Sequence, residues 1–134
     1  MKFPRAVKFR RAKKRCHDIW SKIVRRRDGE CVLCGNTETL QAHHWIIHSG
    51  SSLSTRFLID NGVTLCYACH IFKVHGRGDA VHFDQIKTYM FGKSGLTAAR
   101  YEEIKVLGKE IAHFSLEDLA QIEEVLSKIM AQEK

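Results

Sequence analysis

A chain of 134 residues, 44% hydrophobic and 28% charged, has the size and balance of about one soluble globular domain. No apolar run approaches the roughly 20 residues that span a bilayer, and the basic N-terminus lacks the apolar stretch of a secretion signal, so a soluble, cytoplasmic protein with no membrane partner is expected. The formal net charge of +7 is concentrated at one end: residues 1–30 carry twelve Lys/Arg against three Asp/Glu, residues 31–82 three of each, and residues 83–134 seven against nine.

Residues 1–10 alternate basic and apolar side chains around the single proline, Pro4, and are expected to form an extended or loosely held arm. Over 13–27, Cys16, Ile19, Trp20, Ile23 and Val24 recur at helical spacing with Arg and Lys opposite, which predicts an amphipathic helix stopped at Asp28-Gly29. A turn over 31–36 is followed by a strand over 39–46 and a long polar loop from His48 to Asp60-Asn61-Gly62. A second strand over 63–65 and a helix over 67–75 complete a central unit. Helices over 83–91, 96–114 and 116–132 follow, the last opened by Ser115 as N-cap with Asp118 in its first turn. Its stripe of Leu116, Leu119, Ile122, Leu126 and Ile129 reads as core, with any exposed remainder offering a homodimer interface.

The central unit holds the chemistry. Cys31-Val-Leu-Cys34 and Cys66-Tyr-Ala-Cys69 are two tight pairs separated by 31 residues, the pattern of a closed tetrahedral zinc site joining the two flanks of a β-hairpin. In a reducing compartment paired cysteines are better metal ligands than disulfide partners, the alternative being free or redox thiols. Such sites contribute on the order of 10 kcal/mol or more, so loss of the metal is expected to unfold the unit. Cys16 remains as a free thiol, expected buried. His43, His44 and His70 are left over, and imidazoles suit an open catalytic metal site. The basic run from Arg10 to Arg15, with Arg25-Arg26-Arg27 beyond it, reads as a surface for phosphate backbones or as a solvated helix face.

Three segments, Arg27-Asp28-Gly29-Glu30-Cys31-Val32-Leu33-Cys34-Gly35, Leu40-Gln41-Ala42-His43-His44 and Asn61-Gly62-Val63-Thr64-Leu65-Cys66-Tyr67-Ala68-Cys69-His70, resemble the HNH endonucleases, whose catalytic unit is the ββα-metal (His-Me finger) fold. The resemblance covers about 20–75 and includes the nine-residue step from Asn61 to His70. It implies that His44 is the general base, that Asn61 ties the loop to the strands, and that His70 and His43 hold the catalytic metal. Small proteins of this kind are often phage-encoded, which implies DNA as partner, packaging or recombination proteins as further partners, and the host cytoplasm as location. A weaker likeness to phage recombination nucleases implies a structure-specific alternative.

Phosphodiester hydrolysis needs a deprotonated water, which an imidazole with an ordinary pKa of about 6.5 generates at neutral pH, and a cation with open positions for substrate. Successive side chains of a regular strand point to opposite faces, so His43 and His44 reach one site only where the strand ends or is distorted. His43 stands where the family more often has Asp, and two imidazoles suit Mn²⁺, Ni²⁺ or Zn²⁺ better than Mg²⁺. The family's proline and paired glycines are replaced by Trp45-Ile46-Ile47-His48-Ser49-Gly50. His75, Arg56, Lys73 and Arg77 are candidate phosphate contacts and His48 a candidate neighbour of the metal, each weighed against ordinary surface residues. His17, His82 and His113 carry no partner pattern, and Trp45 reads as hairpin core.

The expected fold is α+β: mainly helical, with a central zinc-stapled ββα-metal module at 31–76, a basic arm and helix at 1–30, and a helical extension at 77–134 packed on it in one compact domain. The expected function is metal-dependent DNA endonuclease. The rival from another class is a non-catalytic zinc module that binds nucleic acid.

Overall fold

The computed structural model describes residues 4–48, 53–71, 80–110 and 112–132. It is mainly helical with one small antiparallel sheet, as an α+β reading requires. The first helix, α1, spans Arg5–Asp28, so the expected extended arm is helical for most of its length. Pro4 sits at the N-cap with φ −56° and ψ 152°, where a missing N–H costs the helix nothing. Phe9 and Ala12 then continue the apolar stripe of Cys16, Trp20 and Ile23 back towards the start, and that extra packing carries the helix through the basic run. Gly29, at φ 71°, ends α1 with its N–H on Arg25 O at 2.8 Å.

Strand β1 (Leu40–His44) pairs with β2 (Gly62–Cys66) from Leu40↔Cys66 to His44↔Gly62. It is shorter at both ends than the expected 39–46. Thr39 has a left-handed φ of 55°, which breaks the extended run before Leu40. After Trp45, the amides of Ile46 and Ile47 are captured by the side chain of Asn61 instead of a ladder. Asn61 itself closes a short 3₁₀ turn, Ile59–Asn61. The helix expected over 67–75 is helical over 67–71, and the rest of that range lies outside the described residues.

Three helices follow: α2 (Ala80–Gly92), α3 (Ala98–Leu107) and α4 (Leu116–Ala131). α3 is about half the expected 96–114. Thr97 caps its start by accepting from Arg100 N, and Gly108, against which Ile47 packs so closely that a Cβ would lie 2.5 Å from Cδ1, marks its end. α4 has the capping box that Ser115 and Asp118 suggest.

The sheet lies between two apolar cores. Trp45, Val63, Leu65, Ile86, Met90, Leu96 and Tyr101 fill one, on the side of α2 and α3. Trp20, Val24, Ile23, Cys16, Phe57, Leu119 and Leu126 fill the other, between α1 and α4. Cys16 touches Leu119, Arg15 pairs with Glu123, and Arg26 reaches Ile129 and Met130, so α1 and α4 run side by side in the same direction. All five residues of β2 are buried, as expected of a strand covered on both faces.

Candidate functional site

Cys31, Cys34, Cys66 and Cys69 converge at the end of the sheet where Leu40 faces Cys66. The turn that presents the first pair is closed by Cys31 N–H to Asn36 O and Gly35 N–H to Cys31 O, both 2.8 Å, with Gly35 at φ 81°. Val32 N–H reaches Thr64 O at 3.0 Å and ties that turn to β2. The four Sγ atoms lie within 4.8 Å of one another, and Cys34 and Cys66 are 3.7 Å apart. Tetrahedral coordination at a Zn–S distance of about 2.3 Å places sulfurs about 3.8 Å apart, so the donor set fits a metal ion such as zinc. The backbone N–H of Cys69 pulls the Cys66 thiol down to about 7, which favours its thiolate form. Cys16 is fully buried, its thiol on Leu119 O, as a structural residue.

Asn61 is fully buried and saturates its side-chain amide with backbone. Its Oδ1 accepts from Ile46 N–H at 3.0 Å and Ile47 N–H at 2.9 Å. Its Nδ2 donates to Ile47 O at 2.9 Å and Thr55 O at 3.2 Å. The segment leaving β1 and the segment entering β2 are therefore fastened through one residue.

The histidines divide between the two faces of the sheet. On the face of Gln41, Val63 and Leu65, the ring of His43 lies 5.1 Å from that of His70 and 5.9 Å from that of His48. Gln41 Oε1 holds His70 Nδ1 at 2.6 Å, a contact that fixes the ring and makes Nε2 the nitrogen suited to a metal. Gln41 sits two residues before His43, so the strand period alone marks it as a neighbour of this group. Among the described residues only the four cysteines meet the geometry of a three-ligand or larger metal group, so His43 and His70 stand as a two-imidazole pair.

His44 occupies the other face, against α1. Its ring stacks on Trp20 with centroids 4.1 Å apart, and its Nε2 bonds Arg56 O at 2.8 Å. Only 6% exposed, it is pushed by burial down to about 4, so the ring is neutral at pH 7. His17, which the sequence marks as unremarkable, lies 6.0 Å from it with a buried Nδ1 that has no hydrogen-bond partner among the described residues. Burial lowers the pKa of His17, and the Arg56 charge opposes protonation of both rings. The spacing of His17 three residues before Trp20 is the signal that could have found it.

Arg56 is half-buried beside these imidazoles, whereas Lys73, His75 and Arg77 lie outside the described residues. Trp45 is 2% exposed and packs on Phe83 and Tyr101, hairpin core as read. Arg25-Arg26-Arg27 is not a free cationic patch. Arg26 caps the last carbonyls of α4, and Arg27 joins Asp28, Ile59 O and Gly62 O. The Asp28 carboxylate, its side chain fully buried, also accepts Thr64 N–H at 2.9 Å, so this pair fixes the end of α1 on β2. Comparison with protein-family models, characterised proteins and solved structures gives no match, so the HNH resemblance stands on the residues quoted for it.

Proposed function

We propose that this protein is a small HNH-type endonuclease that nicks or cleaves DNA by metal-dependent phosphodiester hydrolysis, on a scaffold clamped by zinc at Cys31, Cys34, Cys66 and Cys69. The observation that carries the reading is the Asn61 amide, which locks the backbone just after His43-His44 to the start of β2 while His43 and His70 face each other. A resident zinc module without chemistry has no need of that arrangement.

A divalent ion held by His43 and His70 would supply positive charge for a non-bridging phosphate oxygen and the leaving 3′ oxygen. Gln41 orients His70 for that role. His44 is the base: its Nε2–H donates to Arg56 O, which leaves Nδ1 as the accepting nitrogen. β1 ends at His44, so a phosphate laid across the end of the strand meets both faces. Arg56, beside the ring, neutralises that phosphate. The ion is of the borderline class, Mn²⁺, Ni²⁺ or Zn²⁺, because both protein ligands are nitrogen.

The burial of His44 favours one other reading, a non-catalytic zinc module that binds nucleic acid. Supercoiled plasmid incubated with each of these ions and Mg²⁺, with and without chelator, separates the two. The nuclease gives ion-dependent nicked or linear product that His44→Ala abolishes while DNA binding persists. Cleavage by His44→Ala at the wild-type rate removes the base assignment, and DNA binding without cleavage under any ion leaves the binding module.

A further inference from the structure

The cations of α1 fall into two groups by what they touch. Arg26 and Arg27 are spent on backbone carbonyls and Asp28, Arg25 on Ser21, and Arg15 on Glu123 at 3.2 Å. Lys14 is paired with Asp18 at 3.0 Å. Arg10 and Lys13, like Arg5, Lys8 and Lys22, have no ion pair or side-chain hydrogen bond among the described residues, and their position on the helix sets them apart. Arg10 is exposed and Lys13 is half-buried, the usual state of a lysine whose stem packs while its charged end stays in water.

Arg10, Lys13 and His17 stand at i, i+3 and i+7, which aligns them on one stripe of the helix. The stripe ends at the site, because the His17 ring is 6.0 Å from His44 and both lie in the field of Arg56. Arg10 to His17 spans about 10.5 Å of helix, and one DNA strand advances about 3.4 Å of axis per phosphate, so the stripe matches about three nucleotides. The other face of α1 packs on α4 and leads away from the histidines.

We infer that Arg10 and Lys13 form a phosphate track that guides one DNA strand along α1 to the His44 face, with Arg56 at its inner end. The inference rests on DNA as the partner in the preceding reading, and not on hydrolysis. It assigns to two named residues a role that net charge alone would spread over the whole N-terminal third.

The test is fluorescence-anisotropy binding of a short labelled duplex, in chelator, from about 50 to about 200 mM salt. Wild type is compared with Arg10→Ala/Lys13→Ala and with Lys8→Ala/Lys22→Ala, which removes equal charge elsewhere on α1. The first double variant is expected to lower the slope of log K against log salt by about 1.8, near 0.9 per lost contact, and to weaken binding about tenfold. The control is expected to keep the wild-type slope. Equal slopes for both variants, an unchanged slope for Arg10→Ala/Lys13→Ala, or a wild type that binds no DNA overturns the track. Plasmid cleavage by the same preparations keeps the two ideas apart: cleavage with an unchanged slope removes the track alone, and a changed slope without cleavage removes the nuclease alone.

Discussion

The indole of Trp20 lies flat against the imidazole of His44, 4.1 Å between centroids and 8° from parallel, while its Nε1 donates to Leu58 O at 2.8 Å. One fully buried side chain of α1 thus sets both the ring of the strand and the loop that enters β2. Trp20→Ala should cost about 3–5 kcal/mol in denaturant unfolding. Trp20→Phe keeps an aromatic face but strands the Leu58 carbonyl, and should cost about 1–3 kcal/mol. A loss below about 0.5 kcal/mol for Trp20→Phe would show that the indole bond is replaced by water.

Asn61→Asp is the sharpest probe of the loop lock. It replaces an amide that donates to Ile47 O and Thr55 O with a carboxylate oxygen that can only repel them. The expected loss is about 3 kcal/mol or more, read by thermal or denaturant melts, and any nuclease activity should disappear with it. Asn61→Asp melting like the wild type would remove Asn61 from the scaffold.

Gly62 shows a close approach that no larger residue tolerates. A Cβ there would stand 2.5 Å from Val24 Cγ2 and 2.6 Å from the Trp20 ring. Gly62→Ala should therefore push α1 off β2 and destabilise by about 1–3 kcal/mol. The near-ultraviolet circular dichroism of Trp20 should change at the same time.

The low pKa of His44 has a definite sign in a pH series. The unfolded chain takes up a proton at the ordinary value of 6.5, whereas the folded ring resists until about 4. Stability from a neutral His44 is therefore full above about pH 6.5 and erodes as pH falls towards 4, by about 2 kcal/mol at pH 5. His17, also depressed by burial, adds in the same direction. Melting temperatures between about pH 7.5 and about pH 5 should fall less steeply in His44→Gln than in the wild type. Ring NMR signals of His44 that titrate near 6.5 would contradict its burial.

Much of this was legible in the sequence. The cysteine spacing announced a four-thiol group, and the thiols do converge. For His43 and His44 the strand period and the family resemblance pull apart: the resemblance brings both to one site, whereas the rings lie on opposite faces as alternation dictates. The helical start at Arg5 was hidden because Pro4 and a basic run look like a loose arm, and only packing of Phe9 and Ala12 makes a helix worth forming there. Arg25-Arg26-Arg27 misled for a related reason: charge in a sequence does not reveal which carbonyls tertiary structure will bring to it. His48, offered as a neighbour of the metal, does lie 5.9 Å from His43, whereas His17 reaches His44 only through the long-range packing of α1 on β1, at which its spacing from Trp20 merely hints.

Cys66→Ser tests the thiol group itself. A bound zinc should appear as about one equivalent per chain by elemental analysis, and both the variant and chelator-treated wild type should lose cooperative melting. A chelated protein that melts unchanged would make the cysteines packing residues only.

Two strands joined by five residue pairs are a marginal ladder, and a slip of one step would turn every side chain of β1 to the opposite side. The thiol cluster grips the open mouth of that hairpin, and the Asn61 amide grips the other end. Together they work as a registration pin. What they protect is less the existence of the sheet than its handedness of address: which imidazole looks towards Gln41, and which looks towards Trp20.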